Sequence, residues 1–212
     1  MSSLIVDCRH RYDSGFVLDA RFEADGRATA LFGPSGSGKT TLLSTVAGLL
    51  KPDKGYVSLD GRTLTDTAQG VFLAPERRRV GLLFQDDCLF PHLNVHANIT
   101  YGLRRRGETG IPIERIVEVL ELEELLDRHP RSLSGGQKQR VALARAIVSA
   151  PEILLLDEPL TAVESALRDR IVLLIERVME DFRIPILLVS HNRELVDRLA
   201  TRVFLIEDGR IR

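Results

Sequence analysis

The sequence lacks tryptophan, has only two cysteines among 212 residues, and carries a formal net charge of −1. Cys8 and Cys88 are not spaced as a metal site, which favours two reduced thiols in the cytosol. The near-neutral charge gives no reason to expect nucleic-acid binding. The longest apolar runs, such as Ile153–Leu156, are strand-sized, whereas crossing a bilayer takes about 20 apolar residues. Residues 1–7 also lack the basic flank and apolar core of a signal peptide, so a membrane role would require a partner.

The stretch Gly33–Thr40 matches the phosphate-loop pattern G-x-x-x-x-G-K-[ST] at every fixed position. Residues 28–32 before it are expected to form a buried strand, and residues 41–50 after it an amphipathic helix. Glycines in such a loop let successive backbone N–H groups point at phosphate, and the helix adds its positive end. Lys39 would reach the β- and γ-phosphates, and the Thr40 hydroxyl would ligate Mg²⁺. The alternative, a Gly/Ser-rich turn, is disfavoured because strand, loop and helix are in register. The residues expected to contact a nucleotide here are Gly33, Pro34, Ser35, Gly36, Ser37, Gly38, Lys39, Thr40 and Thr41.

A second unusual helix start lies at Ser134–Gln137. Ser134 and Gln137 fit a capping box with Ser134 as the N-cap. Gly135 and Gly136 in the first turn weaken the helix by about 1 kcal/mol each relative to alanine. Two interpretations stay open: these residues simply start a helix, or another group approaches the glycine backbone closely. Bare N–H groups at a helix N-terminus suit an anion.

Three predicted core strands end in polar side chains: Gln85, the pair Asp157–Glu158, and His191. Ligand-facing residues gather at the ends of parallel strands in open α/β sheets. An apolar strand that ends in aspartate is the second half of a phosphate-loop magnesium site, so Asp157 would hold the ion or its water. Glu158 could orient an attacking water or accept its proton. Taken alone, neither Gln85 nor His191 can be assigned to a ligand site rather than to an ordinary structural role.

The rest of the chain indicates strands near the N-terminus and helices in the middle. Residues 3–8 and 16–22 are expected to be strands, whereas the segment from Asp86 to Ala150 has helical spacing and is typical of an inserted lobe. Three segments are expected at the surface: a loop at 63–74, a charged run at 75–79, and a loop at 104–107. For the charged run, a solvated face is favoured over a lipid or nucleic-acid contact.

The order of these motifs resembles that of ATP-binding-cassette (ABC) ATPases over nearly the whole chain. Leu133–Gln137 reads Leu-Ser-Gly-Gly-Gln and is followed by Lys-Gln-Arg, which is highly specific for that family. The resemblance implies an α/β fold: a P-loop NTPase core with a mixed, largely parallel sheet, N-terminal antiparallel strands and an inserted α-helical subdomain. It also implies a single ABC ATPase domain over residues 1–212. Within it, residues 1–85 and 151–212 would form the core and residues 86–150 the helical signature subdomain.

The resemblance implies a role for each matching residue, with ATP and Mg²⁺ as cofactors. Gln85 would touch Mg²⁺ or the attacking water and relay to a membrane partner. Asp157 would bind Mg²⁺ together with Thr40 and Gln85, and Glu158 would be the catalytic carboxylate. His191 would lie at the γ-phosphate. Ser134–Gln137 would bind the γ-phosphate of the ATP held by a second copy of the chain.

The family also places an aromatic side chain before the phosphate loop, where it stacks on adenine. Tyr12 is the first candidate for that role and Phe16 the second. From the residues alone, Tyr12 could equally be an exposed aromatic without a special role.

Further runs resemble the ATPase subunits of bacterial importers that are fed by a periplasmic or surface solute-binding protein. This resemblance lies in Glu158–Leu160 and Phe84–His92. The resemblance to molybdate importers in particular lies in residues 75–81, 98–103 and 125–130. Importers of sulfate, iron(III), polyamines or sugars share much of the pattern. The resemblance thus implies an ATP-hydrolysing subunit that pairs with a second copy and docks on integral-membrane permease subunits at the cytoplasmic face of the inner membrane.

Two departures from the family pattern stand out. Residues 161–164 replace the usual Ser-Ala-Leu-Asp, so Glu164 stands for the loop aspartate with a longer reach. Many importer subunits carry a C-terminal regulatory domain, and its absence predicts either that this regulation is missing or that the sequence is a fragment. The alternative functions are an exporter or lipid-trafficking subunit, a soluble ABC ATPase of DNA repair or translation, and a non-hydrolysing module. The complete set Lys39, Asp157 and Glu158 disfavours the last.

Overall fold

A computed structural model describes residues 3–86, 88–103, 111–161 and 163–212. The expected loop at 104–107 and Ala162 of the segment 161–164 lie outside the described residues. The chain divides into two compact units: one runs to Val80 and resumes at Pro185, and the other is Gly81–Ile184. The subdomain bounds inferred from the resemblance stay a prediction. No described helix combines the length and the apolar character needed to cross a membrane.

The described part of the chain begins with strands interrupted by one helix, continues with helices, and ends with strands and helices in alternation. The strands are β1 (Ser3–Arg11), β2 (Val17–Asp25), β3 (Ala28–Phe32), β4 (Lys54–Leu59), β5 (Arg62–Asp66), β6 (Val71–Phe72), β7 (Val80–Leu83), β8 (Ile153–Asp157), β9 (Ile186–Ser190), β10 (Arg202–Glu207) and β11 (Arg210–Ile211). The helices are α1 (Lys39–Ala47), α2 (Val95–Thr100), α3 (Ile113–Val119), α4 (Gly135–Ile147), α5 (Ser165–Phe182) and α6 (Arg193–Leu199). Short 3-10 turns cover Pro75–Arg77, Glu123–Leu125 and Pro130–Ser132.

The first unit contains a mixed sheet whose order is β6-β5-β4-β1-β2-β11-β10-β3-β9. Strands β1, β2, β4 and β5 pair in antiparallel fashion. Along β1 and β2 buried and exposed residues alternate, as expected of strands that bury one face. Strand β3 lies between β9 and β10 and is parallel to both. Strands β3 and β9 are apolar and buried almost throughout, which is typical of a covered parallel core. The predicted combination of antiparallel N-terminal strands and a parallel core is confirmed.

The second unit contains β7 and β8, which are neighbours in the sheet, and helices α2 to α5. Helix α4 packs against α2, α3 and α5. Glu121, just past the end of α3, ties these helices together because its carboxylate pairs with Arg140 of α4 and with Arg170 and Arg177 of α5. The hydrogen bond from Arg170 is the main cause that lowers the pKa of Glu121. The helical character predicted for this part of the chain is confirmed.

The surface loop predicted for residues 63–74 is wrong, because this segment contains most of β5 and all of β6. The turn at Asp60 and Gly61 has both residues at positive φ, 50° and 76°, which is the geometry of a tight hairpin turn. It returns the chain along β4, so that Leu59 pairs with Arg62 and Val57 with Thr65. The buried Leu64 and Thr65 make this hairpin part of the core.

The expectation that the charged run at 75–79 forms a solvated face is wrong for Arg78. Its side chain is completely buried, at 0% exposure. The guanidinium donates hydrogen bonds to Leu73 O at 2.8 Å, to Thr45 O and Val46 O at 3.0 Å each, and to Thr65 Oγ1 at 2.9 Å. Burial lowers the pKa of Arg78 to about 10, so the group stays charged at neutral pH. Its position below the last turn of α1 is favourable because a helix C-terminus carries partial negative charge.

Candidate functional site

The phosphate loop joins the end of β3 to the start of α1, as the sequence predicts. Gly36 and Gly38 have φ values of 80° and 100°, a region that suits residues without a Cβ. Gly33 is required for a different reason, because a Cβ at this position would lie 2.1 Å from Ile206 O. The loop is also held from the β10–β11 turn, where the Gly209 N–H donates to Ser37 O at 3.1 Å. The curled backbone of the loop therefore depends on the last strands of the chain.

The side chains of Lys39 and Ser37 point into this curled loop. Lys39 is only 5% exposed, and its Nζ donates to Gly33 O and Pro34 O at 2.8 Å each. The Ser37 hydroxyl is buried and has no hydrogen-bond partner among the described residues. Buried hydroxyl groups are rarely left without a partner. An ammonium group and an unsatisfied hydroxyl within a ring of backbone N–H groups fit a phosphate chain, so the fold of the loop agrees with its sequence motif.

His191 lies next to the phosphate loop within the first unit. Strands β3 and β9 run parallel with Phe32 opposite Ser190, so Gly33 and His191 leave the sheet side by side. Both line a cavity of about 170 Å³ together with Phe32, Pro34, Leu205 and Glu207. The sequence predicted that His191 ends a core strand, and the structure brings it to the same cavity as Gly33 and Pro34.

Tyr12 and Phe16 lie at the hairpin turn between β1 and β2 and face the phosphate loop. The Tyr12 hydroxyl is 3.2 Å from Thr41 Oγ1 in the first turn of α1. A Cβ added to Gly38 would lie 3.1 Å from Phe16 Cζ, so this ring also borders the loop. The two ring centroids are 6.2 Å apart. Tyr12 is exposed and Phe16 half-buried, which leaves the Tyr12 ring the more accessible one for a planar ligand.

Asp157 and Glu158 end β8 in the second unit, and their environments differ. Asp157 is 4% exposed at the end of an otherwise apolar strand, whereas Glu158 is half-buried. Glu158 has a φ of 47°, and a left-handed conformation in a residue with a side chain carries strain that the surroundings must impose. Such strain is concentrated at functional sites. The difference in burial and backbone conformation between Asp157 and Glu158 agrees with separate roles for the two carboxylates.

Gln85 follows β7 after Phe84, and both side chains are exposed. Strand β7 is one residue shorter than the predicted strand at 80–84. An exposed amide after a core strand can bind a ligand, and it can equally contact another protein.

The signature segment has the predicted capping box at the start of α4. Gln137 N–H donates to Ser134 Oγ at 3.3 Å, and Ser134 N–H donates to Gln137 Oε1 at 2.9 Å. A Cβ added to Gly136 would meet Leu167 Cδ1 at 3.7 Å, which is an ordinary contact distance. Among the described residues, close packing therefore does not explain why position 136 is glycine. Gly136 is itself buried, so both interpretations of this helix start stay open.

The residues expected to bind Mg²⁺ fit a hard cation by their chemistry. Thr40, Gln85 and Asp157 offer a hydroxyl, an amide carbonyl and a carboxylate, and Mg²⁺ prefers oxygen ligands while keeping several waters or phosphate oxygens. No group of three or more His, Cys, Asp or Glu side chains that could hold a metal occurs in the described ranges. Thr40 belongs to the first unit and Gln85 and Asp157 to the second, so their joint binding of one ion stays a prediction.

Sequence reasoning missed the residues that support these side chains. Ile206 and Gly209 hold the phosphate loop, and Arg78 holds the far end of α1. The Asp208–Gly209 turn was recognisable, but nothing local in the sequence indicates that a carbonyl of β10 reaches Gly33. Gly48 lies within the predicted helix at 41–50, whereas α1 ends at Ala47, and a Cβ at Gly48 would lie 2.3 Å from Arg78 Nε.

A phosphate loop, a buried aspartate that ends a core strand and a glycine-rich capped helix together define a nucleotide-binding cassette. The ABC transporter family model matches residues 21–161, and the chain belongs to that family. It is similar to the dimeric post-hydrolysis structure of the ATP-binding cassette MJ0796 bound to ADP and Pi, with a TM-score of 0.81 and 27% identity. That match covers 98% of this chain and 96% of the other. A second structure of MJ0796, described as a dimeric bacterial ABC transporter cassette, matches with a TM-score of 0.80, 28% identity and the same coverage.

Among curated proteins, the chain is similar to proteins named molybdenum import ATP-binding protein ModC. It is 46% identical over 211 residues to that of Mesorhizobium japonicum and 47% identical over 211 residues to that of Rhizobium johnstonii. Each match covers 99% of this chain but only 57% and 59%, respectively, of the relative. The chain thus spans less than two thirds of the length of these relatives.

Proposed function

We propose that the chain binds ATP with Mg²⁺ and hydrolyses it as the nucleotide-binding subunit of an ABC importer. The observation that carries this proposal is the phosphate loop itself. The buried Lys39 and the unpartnered Ser37 hydroxyl belong to this loop, and His191 lines a cavity together with Gly33 and Pro34 of the same loop. The family match supports ATP as the nucleotide.

The roles we assign follow the chemistry of each side chain. Lys39 neutralises the β- and γ-phosphates, and backbone N–H groups of residues 35–41 cradle them. Thr40, Gln85 and Asp157 hold Mg²⁺, which offsets charge on the phosphates when bound. Glu158 orients the attacking water and accepts its proton, and His191 contacts the γ-phosphate.

We further propose that the hydrolysing unit is a pair of chains related by two-fold symmetry. A phosphate loop surrounds the phosphates from one side, so donors are needed opposite it for the charge that develops during hydrolysis. The start of α4, residues 134–137, offers such donors, because the first N–H groups of a helix have no partner within the helix. Two-fold symmetry would place each α4 start over the partner's loop. The dimeric cassette structures similar to this chain support the arrangement.

The proposed partner at the membrane is a permease that docks near Gln85 and the segment Asp86–Leu103. In the second unit, Phe84 and Tyr101 expose apolar surface, at 39% and 45% exposure. Phe90 supports this area because its ring lies 4.3 Å from that of Tyr101. Exposed aromatic side chains are typical of the central part of protein interfaces. This arrangement implies a cytoplasmic location on the inner membrane, with an external solute-binding protein in the complete system.

The proposed solute is molybdate or a related oxyanion, because the similar curated proteins are named as molybdenum import ATP-binding proteins. Sulfate, iron(III), polyamines and sugars remain alternatives within the same class, as does an exporter. The solute would not contact this chain, so the residues of this chain do not determine which solute is transported. Identifying the membrane protein that co-purifies with the chain, followed by molybdate uptake into vesicles containing both, tests this assignment. Uptake of another solute in place of molybdate would contradict it.

Replacing Lys39 by alanine tests the ATPase directly. We expect phosphate release from ATP and Mg²⁺ by the unmodified chain, and a loss of at least about 100-fold in Lys39→Ala because the phosphate charge is no longer neutralised. Lys51→Ala, at an exposed lysine after α1, is the matched control and should retain full activity. Absence of hydrolysis in the unmodified chain, or equal rates in all three proteins, would contradict the proposal.

A further inference from the structure

Tyr12 is held by backbone hydrogen bonds within the β1–β2 hairpin and by a side-chain contact to α1. Its backbone closes the turn, since Tyr12 N–H donates to Phe16 O and Gly15 N–H to Tyr12 O, at 2.9 Å each. Its hydroxyl reaches Thr41 Oγ1. These contacts fix the two ends of the residue, but they leave the plane of the ring to be set by its neighbours.

His10 supplies the contact that sets this plane. The two ring centroids are 4.8 Å apart and the rings are inclined at 85°, an edge-to-face arrangement. Such pairs are favourable beyond the area that they bury, because the positive edge of one ring meets the negative face of the other. The imidazole is only 15% exposed, so few other rotamers are open to it. Its Nδ1 is buried and makes no hydrogen bond with the described residues.

Asp53 contacts both His10 and Arg11 and thereby holds the end of β1, the strand that carries His10. One carboxylate oxygen of Asp53 accepts the Arg11 N–H at 2.8 Å, and the other lies 3.7 Å from His10 Nδ1. Asp53 comes shortly after α1, so the end of β1 is connected to the segment that follows the phosphate-loop helix. Asp53, His10, Tyr12 and Thr41 thus form a continuous series of contacts beside the loop.

We infer that His10 is a positioning residue for the nucleotide base, acting through the ring of Tyr12. This inference rests on the proposed function, because it takes the exposed Tyr12 ring to be the surface on which adenine stacks. In this arrangement His10 does not touch the nucleotide. It restricts the rotation of Tyr12, so that less conformational freedom is lost when the base stacks.

The test compares a ligand with a base to one without, by titration calorimetry with ADP and with inorganic pyrophosphate in the presence of Mg²⁺. We expect His10→Ala to weaken ADP binding by about threefold to tenfold and to leave pyrophosphate binding unchanged. His10→Phe keeps a ring in place and should bind ADP within about twofold of the unmodified chain. In a Tyr12→Ala background, His10→Ala should have no further effect, since His10 then has nothing to position.

Several results would overturn the inference. One is ADP binding by His10→Ala that equals that of the unmodified chain. Others are an equal loss for pyrophosphate, a His10→Phe protein as weak as His10→Ala, and additive effects of the Tyr12 and His10 changes. His129→Ala, at an exposed histidine of the second unit, is the control and should bind both ligands normally. If the unmodified chain binds neither ligand, the proposed function fails, which is distinct from a failure of the role of His10.

Discussion

Identical side chains have opposite environments at several positions of this chain. Cys8 is buried in β1, whereas Cys88 is exposed. Arg78 is completely buried, whereas its neighbours Arg77 and Arg79 are exposed. The local sequence gives little to separate the members of either set, because burial is decided by strands and helices that are distant in sequence. This is why the run 75–79 was expected to be solvated throughout.

Cys8 provides a prediction on pH and stability. Burial, and to a smaller extent the charges of Asp7 and Asp19, raises the pKa of its thiol from 9.0 to about 12. In the unfolded chain the thiol ionises near pH 9, but in the folded protein it stays neutral, so stability is retained below pH 9 and lost as the pH rises towards 12. The expected slope is about 1.4 kcal/mol per pH unit from this group. Urea unfolding at pH 8, 9 and 10 measures it.

The control for this prediction is Cys8→Ala, whose unfolding free energy should fall less steeply above pH 9. The difference in slope between the two proteins isolates Cys8 from the other groups that titrate in alkali. Parallel curves for the two proteins would show that the thiol is accessible to water and ionises in the folded state.

At the scale of elements, the phosphate-loop helix α1 is held at both ends. Gly38 precedes it and Gly48 follows it, each with positive φ. The guanidinium of Arg78 satisfies carbonyl groups of its last turn and connects them to β5 and to Leu73. The β5–β6 hairpin, which the sequence interpretation took for a loop, therefore supports the end of α1 opposite the phosphate loop.

Arg78→Met should lower the free energy of unfolding by about 3 kcal/mol, because it leaves several buried carbonyl groups without donors. Arg77→Met, at the exposed neighbour, should change it by no more than about 0.5 kcal/mol. Chemical denaturation of both variants measures the difference. Similar values for the two would mean that the buried guanidinium contributes no net stability.

The sequence predicted most elements because their patterns are local. The apolar runs of β3, β8 and β9 and the capping box of α4 each lie within one segment. It did not predict β5, which is largely polar, or β6, which has only two residues, because neither shows a clear period. It also could not predict the contacts that hold the phosphate loop, since Ile206 and Gly33 are brought together only by the parallel pairing of β3 and β10.

At the scale of the whole molecule, the motif positions were predictable because the phosphate loop and the signature are contiguous. The first unit brings Lys39, Ser37, His191 and Tyr12 to the phosphate loop, and the second carries Asp157, Glu158 and the signature helix. Each chain offers one loop and one signature. Under the proposed function, two copies therefore complete two nucleotide sites, each made from the loop of one chain and the α4 start of the other.

The mass of Glu158→Gln in solution, measured by analytical ultracentrifugation with and without ATP and Mg²⁺, tests this claim most directly. Removing the carboxylate should slow hydrolysis while leaving ATP binding intact, so the closed pair should accumulate. We predict a monomer without nucleotide and a dimer with ATP, and a return to monomer in the double variant Glu158→Gln with Ser134→Arg, whose long side chain would block the signature. A Glu158→Gln protein that stays monomeric with ATP bound, or that hydrolyses ATP at the unmodified rate, would contradict the account.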